Sequence, residues 1–541
     1  MSDSDNTTVL QGEPDRNDEK VETGEPFFLP APTRIPYWRY ILDQPLITQD
    51  VLNWPYAGSG AEADPYLVTW IDSDPRNAMN MSPYRKAGTT ALMAVLTLAA
   101  SFMSSTYSGC IPQVMADMHV SEEVATVGLS LYVLGFGVGP TVWAPMGELY
   151  GRQIIIFISF GLFTAFNAAS AGAQSIQALL VLRFFSGCFA ASAMTNTGAV
   201  IADMYEASQR GLAMGCFAMA PFMGPVFGPV VGGFLGESDA GWRWVQGLAA
   251  IFSGVLWLLT AFLVPETYAP FLLRKRARVL SRMTGRAYVS AADTKFAPPA
   301  SAGQALKKAM TRPWLLLVHE PPVLFLALYM SLLYGVLYML FGAFPIVYQE
   351  GRGWSQGIGG LAFMGVAVGE IAACLFSIPD NARYVRRSKA RGGTVIPEER
   401  LSGAMIGAVA VPAGLFWFAW TNGPDVHWLA SVAAGAPFGF GMVLLFISIK
   451  NYLVDAYSVF AASALAGTVI MRSCFGAAFP LFTTYLYHGL GVHWASTLTA
   501  FLSLACTPIP FVLYRWGTRI RANCKYTKQA EAMTAAMQAH R

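Results

Sequence analysis

Twelve apolar runs, each near the twenty or so residues that cross a bilayer as a helix, constrain this chain more than any other feature. They lie at about 90–112, 124–145, 154–173, 178–202, 211–236 and 244–264, then at about 322–348, 358–379, 403–421, 427–450, 459–487 and 493–514. Hydrocarbon leaves backbone groups no partner but one another, so a spanning chain must be helical or a closed barrel. Runs this long and this apolar read as helices. Composition agrees: 54% of the 541 residues are hydrophobic and 13% charged, where a soluble domain carries roughly a quarter. The expected class is an all-α polytopic membrane protein. A polar central stretch divides its twelve transmembrane helices into two six-helix bundles, the layout of a secondary transporter built from two halves.

Charge alternates between the connecting segments. Arg85 and Lys86 precede span 1, Arg152 follows span 2, and Arg210 follows span 4. The central stretch carries ten Lys and Arg between residues 274 and 312 against one acid, Asp293. The intervening loops, such as QVMADMHVSEE and AGAQSIQ, are poor in both bases. By the positive-inside rule the N- and C-termini and the central loop are expected to be cytoplasmic. The organisation read from this is an N-terminal arm at 1–86 and a first half at 87–266. A central loop at 267–320, a second half at 321–515 and a tail at 516–541 complete it. The first 25 residues are acidic and expected to be disordered; Trp38, Trp54 and Trp70 suggest that the rest of the arm docks. The first apolar run starts near residue 89, too late for a cleaved leader, so span 1 is expected to act as its own insertion signal.

Other classes find little support. A net charge of +3 without a basic aromatic patch argues against nucleic acid. The seven cysteines are odd in number, form no CxxC and read as small apolar residues. No HExxH, GxSxG or metal-spaced cluster points to an enzyme, and no GxxxxGK[ST] points to ATP, so no cofactor is expected.

Four stretches carry a family resemblance. APMGELYGRQ, 144–153, is similar to the loop 2–3 signature G-x-L-x-D-x-x-G-R-K of the major facilitator superfamily. Glu148, Gly151 and Arg152 fall on its acid, second glycine and base, while Ala144, Met146 and Gln153 depart from it. The resemblance implies a cytoplasmic gate that latches the two halves, with Asp203 as a further member; an ordinary capped turn is the alternative. In span 4, LVLRFFSG resembles the superfamily's L-x-x-R-x-x-x-G, whose arginine, here Arg183, is implicated in proton coupling. The alternative is that Arg183 snorkels to the interface. In span 5, GPVFGPVVGG fits G-x-x-x-G-P-x-x-G-G at every fixed position: Gly224, Gly228, Pro229, Gly232 and Gly233. That pattern marks the proton-coupled antiporters. Small residues here let helices approach closely where lipid gives no hydrophobic reason to associate; a static contact is the alternative. PETYAP, 265–270, and the arm stretches DPYLVTW and DPRNAMN resemble the fungal twelve-span drug:proton antiporters, although Ala78 and Met81 depart from the usual D-P-x-N-P-x-N-W. The likeness covers about residues 64–525 and implies the major facilitator fold.

Charges inside spans are functional candidates by default. Glu370, in MGVAVGEIAACLF, and Arg472, in VIMRSCFG, are the deep ones. Glu370 suits a proton carrier, since burial penalises a bare carboxylate; an ion pair with Arg472 is the equal alternative. Tyr334, Tyr338 and Phe341 share one face of span 7, which in the resembling fold lines the central cavity; lipid-facing aromatics are the alternative. Tyr107 and Asn196 are further cavity candidates. The expected function is export of a small organic molecule (drug, toxin, polyamine or metabolite) in exchange for protons, by a monomer in the plasma membrane, with the vacuolar membrane as alternative. An organic-acid exporter, a proton-symport importer and a transporter-like receptor are the other readings.

Overall fold

The computed structural model describes residues 35–206, 209–295, 302–391, 396–530 and 533. The acidic first 34 residues lie outside the described residues. Among the described residues, eleven continuous helical stretches are long and apolar enough to cross a membrane. The first half holds Pro83–Met118, Glu122–Tyr150, Arg152–Ala171, Ile176–Met204, Ala213–Glu237 and Gly241–Leu263, spans 1 to 6. The second holds Pro321–Glu350, Gln356–Ala390, Pro397–Thr421 and Trp428–Tyr457, spans 7 to 10, and the long stretch Ala461–Arg521. Gly491 breaks that last stretch at φ 76° and ψ 159°, a conformation that only glycine adopts cheaply, and so separates span 11 from span 12. Six and six result.

Each half is assembled in the same way. Span 1 packs on span 5, span 2 on span 4, and span 3 on spans 4 and 6. In the second half span 7 packs on span 11, span 8 on span 10, and span 9 on span 10; a ring contact between Phe416 and Phe501 joins span 9 to span 12. The seams are made where a side chain would not fit. A Cβ on Gly135 of span 2 would stand 2.6 Å from Phe184 O of span 4, and one on Gly407 of span 9 would stand 2.5 Å from Gly441 O of span 10. Apolar side chains point outward instead. Trp244, Ile251, Val255, Leu258 and Phe262 form an exposed stripe at helical spacing along span 6. The halves meet through span 2 against span 11 and span 5 against span 8, one pair the counterpart of the other.

The arm is tied to the central loop. Tyr66–Val68, β1, pairs in parallel with Tyr288–Ser290, β2. Val51, Tyr56, Val68 and Ile71 of the arm bury themselves against Leu273, Ala277 and Leu280. These last three project from the helix Ala269–Thr284 at four- and three-residue spacing. Asp74, fully buried, accepts from Arg276 Nη1 at 2.5 Å, and Arg276 lies over the Trp70 ring at 5.1 Å. Arg76 Nη1 donates to the Glu266 carbonyl at 2.9 Å. DPRNAMN and PETYAP are therefore two sides of one joint.

Asp74→Ala would leave Arg276 buried without its carboxylate, a loss of about 3–5 kcal/mol for a broken buried pair. Limited trypsin digestion of the purified protein should then cut at Arg39 and Arg76 while the spans stay intact. Combining Asp74→Ala with Arg276→Leu should restore part of the protection.

Candidate functional site

The midplane holds a connected set of polar and aromatic side chains. Arg183 is 1% exposed, so it does not snorkel. Its Nε donates to Gly128 O at 2.7 Å and its Nη2 to Ser104 O at 3.4 Å, and the rings of Tyr107 and Tyr132 flank the guanidinium at 4.1 and 5.2 Å. Span 4 thus satisfies a costly buried cation with carbonyls of spans 1 and 2 and with ring faces. Ser104 then leads across the molecule. Its hydroxyl donates to Ser101 O at 2.6 Å, so Tyr338 of span 7 donates to Ser104 Oγ at 2.8 Å, and Tyr334 donates to Tyr338 at 3.4 Å. This chain joins the first half to the second.

Beyond Tyr334 the second half takes over. Arg472 of span 11 stands 5.0 Å from the Tyr334 ring and 5.9 Å from the Phe446 ring of span 10. Phe446 meets Phe222 of span 5 edge-on at 5.2 Å, a second contact between halves. Lys450 Nζ lies 5.9 Å from Phe222 and 6.0 Å from Phe446. Phe341 continues the row from Tyr338 and reaches Phe363 of span 8 at 5.2 Å. Tyr334, Tyr338 and Phe341 thus face inward, whereas Phe325 on the same span is half exposed. Glu370 lies seven residues beyond Phe363, on the same face of span 8. It is 1% exposed, and neither carboxylate oxygen has a hydrogen-bond partner among the described residues. The ion pair with Arg472 is not formed. Of the two further candidates, Tyr107 belongs to this set through its ring against Arg183, and Asn196 does not. Tyr107 is buried within the first half, its hydroxyl donating to Ala125 O at 3.0 Å. Asn196 belongs to the loop 2–3 site.

That site is built around Glu266. Its carboxylate accepts from the backbone N–H groups of Arg152 and Gln153, each at 3.0 Å, at the start of span 3, and from Thr267 and Tyr268 at 2.9 Å. An acid at a helix N-terminus satisfies free donors and meets the positive end of the dipole. Gly151 has φ 92°, and a Cβ there would collide with the Glu266 carboxylate, so glycine is required twice over. Arg152 Nη1 donates to Asn196 Oδ1 at 3.4 Å, its Nε lies 3.9 Å from Asp203, and the Tyr268 ring covers it at 4.7 Å. Asp203 in turn accepts from Thr267 Oγ1 at 3.2 Å. Glu148 is exposed and makes no ion pair among the described residues. All these partners are in the first half or its link to the central loop.

The second half carries a counterpart. Arg400 at the start of span 9 donates to Asp455 at the end of span 10 at 2.8 Å, under the Tyr384 ring at 3.5 Å, and Asp380 of span 8 accepts from Ser402 at 3.0 Å. The longer loop 8–9 hid this correspondence in sequence. Lys450 was also missed, because it stands at the sequence-drawn end of span 10. The helix runs on to Tyr457, which places Lys450 two turns inside.

The face opposite the basic loops is closed, and span 5 closes it. One row of its small residues lies on span 1. A Cβ at Gly224 would stand 2.6 Å from Phe102 N, one at Gly228 2.7 Å from Thr106 N, and one at Gly232 2.9 Å from Thr106 C. The neighbouring row faces span 8. A Cβ at Gly233 would stand 2.6 Å from Gln356 O, and one at Gly360 2.7 Å from Pro229 O. Gln113 donates to Gln356 at 2.7 Å, and Gln356 N donates to Glu237. Thr484 and Tyr485 of span 11 donate to Glu122 and Glu123 of span 2, each at 2.9 Å.

The family model described as Major Facilitator Superfamily matches residues 93–479, most of both halves. The chain belongs to the major facilitator superfamily. It is 57% identical over 510 residues to "MFS-type efflux pump MFS2" of Trichophyton rubrum, covering 94% of this chain and 85% of that one. It is 52% identical over 518 residues to "Major facilitator superfamily multidrug transporter mdrA" of Aspergillus fumigatus, covering 96% and 84%. These relatives place it in the superfamily's fungal efflux group. The xylose transporter XylE from E. coli, solved in a partially occluded inward-open conformation, shares the fold alone. Its TM-score is 0.54 at 16% identity, covering 80% of this chain and 98% of that one. The chain is a multi-pass membrane transporter for small molecules.

The two rows of span 5 predict different phenotypes. With Cys at Gln113 and Gln356, a short bifunctional thiol crosslinker should join spans 1 and 8 in the unsubstituted background. Gly233→Leu should abolish that crosslink without lowering the amount of inserted protein. Gly228→Leu, which strikes span 1 within one half, should lower the amount of folded protein instead.

Proposed function

We propose that this transporter exports a small organic molecule from the cytosol in exchange for protons, by alternating access, as a monomer in the plasma membrane. The loop-bearing face is the cytosolic one, supported by its Lys and Arg and by the docked arm and central loop. In this orientation the structure is closed toward the outside. Export is supported by the names of the fungal relatives and by the full match of the span 5 pattern.

Glu370 carries the proton-coupling reading. A carboxyl buried in span 8, with neither oxygen partnered among the described residues, has no structural bond there to maintain. It is free to take a proton in one conformation and release it in another, when the movement of the halves changes its access to water. Substrate and proton then use the same midplane layer at different times. Arg183, by contrast, is held by carbonyls and rings, and acts in this reading by tying spans 1, 2 and 4 to the Ser104–Tyr338 link.

The test is flux in sealed vesicles with an imposed pH gradient, read by an internal pH dye across a panel of small aromatic acids, amines and neutral compounds. Active compounds should dissipate the gradient, and a protonophore should abolish their accumulation. Glu370→Gln should reduce gradient-driven accumulation to background while substrate exchange without a gradient persists. Full coupled transport by Glu370→Gln would remove the carrier role.

A further inference from the structure

We infer that the substrate is an organic anion: a carboxylate on an apolar, flat body, bound between Lys450 and Arg472. The inference rests on the export reading and names its substrate class. Two cations share the Phe446 ring. Arg472 lies 5.9 Å and Lys450 6.0 Å from its centroid, on spans 11 and 10. Each touches a further ring, Tyr334 for Arg472 and Phe222 for Lys450. Among the described residues neither makes a hydrogen bond or an ion pair. Arg472 is 6% exposed and its Nε is buried without a partner. Ring faces offset part of the cost of a buried cation, but they do not take up the polar N–H donors as an oxygen would, and both bases lie against the same ring.

The nearby charges do not complete the site. Arg183 is a third cation, already bonded to Gly128 O and Ser104 O. Glu370 forms no ion pair among the described residues. The acids Asp455, Asp380 and Glu398 toward the end of the second half are taken by Arg400, Ser402 and Arg521. The missing component is therefore an acceptor with two oxygens that can bridge an ammonium and a guanidinium, the geometry a carboxylate supplies. Phe222, Phe446 and Tyr334 provide the apolar wall for the remainder of such a molecule.

The full-length protein, purified in detergent at neutral pH, tests this without any gradient. The probes are para-butylbenzoate, its amide and para-butylbenzylamine, which share a body and differ in charge, measured by calorimetry. The carboxylate should bind at least about tenfold tighter than the other two. Lys450→Gln and Arg472→Gln should each weaken it by about tenfold and leave the amide unchanged. Lys450→Arg should retain it. Preference for the amine or the amide by the unsubstituted protein would overturn the inference, and that ranking needs no variant to fold. Binding displaced by short-chain phosphatidylglycerol but not gained with the free acid would assign the pair to a lipid headgroup and also overturn it. If the acid binds as expected but the vesicle flux ignores the pH gradient, the anion site stands and proton coupling fails. If gradient-driven flux occurs and the amine is preferred, export stands and the anion site fails.

Discussion

Helices in hydrocarbon gain nothing by hiding apolar surface from each other, so their contact must come from close approach of backbones. That constraint shapes the whole molecule. The seams within each half run along Gly135 against span 4 and Gly407 against Gly441. The seam between halves is made by Gly233 and Gly360, with no room at either for a methyl group. The prolines of span 5 belong to the same logic. Pro225 and Pro229 stand in the row beside the glycines, and the Pro229 backbone meets span 8 at Gly360. A contact of backbones carries no long side chains that must unlock, so it can part and re-form as a surface. It is a suitable seam for halves that must separate.

Charge is used differently, at the ends of helices and within one half at a time. Glu266 gathers the start of span 3, the arm and the central loop into one knot. Asp455, Arg400 and Tyr384 make the corresponding knot in the other half. Glu320 does for the tail what Glu266 does for the arm, accepting from Tyr457, Tyr526 N and Thr527. Buried ion pairs with full hydrogen bonding are rigid and costly to break. Placed inside each half they stiffen it, and they leave the interface between halves to glycine contacts, the buried Ser104–Tyr338 link, the Phe222–Phe446 ring contact and a few exposed hydrogen bonds.

The spans, their pairing into halves and the small-residue strip were legible in sequence because each is a property of one helix or of its immediate neighbours. The inward face of span 7 was legible for the same reason: 3–4 spacing puts Tyr334, Tyr338 and Phe341 together wherever the helix is set. What was hidden depends on the meeting of distant segments. The partner of the arm and the place of Asn196 beside Arg152 follow from tertiary contact and leave no periodic mark. Lys450 was hidden by a boundary. Hydropathy ends a span at its first charge, and the helix did not end there.

Span 5 connects the two parts of the cycle. Its end away from the basic loops, through Gly233 and Pro229, forms the closed seam with span 8. Its middle, through Phe222, touches Phe446, the ring that Lys450 and Arg472 both approach. An anion bridging Lys450 and Arg472 would remove the repulsion between them and draw spans 10 and 11 together beside that ring. Phe222 would feel the change directly, and a stiff helix carries a tilt at its middle to its end. The closed seam lies about two to three turns away along the same helix, roughly 15 Å at 1.5 Å per residue. Under the proposed anion site, binding and gating would need no long relay of side chains, because span 5 reaches both the Phe446 ring and the glycine seam with span 8.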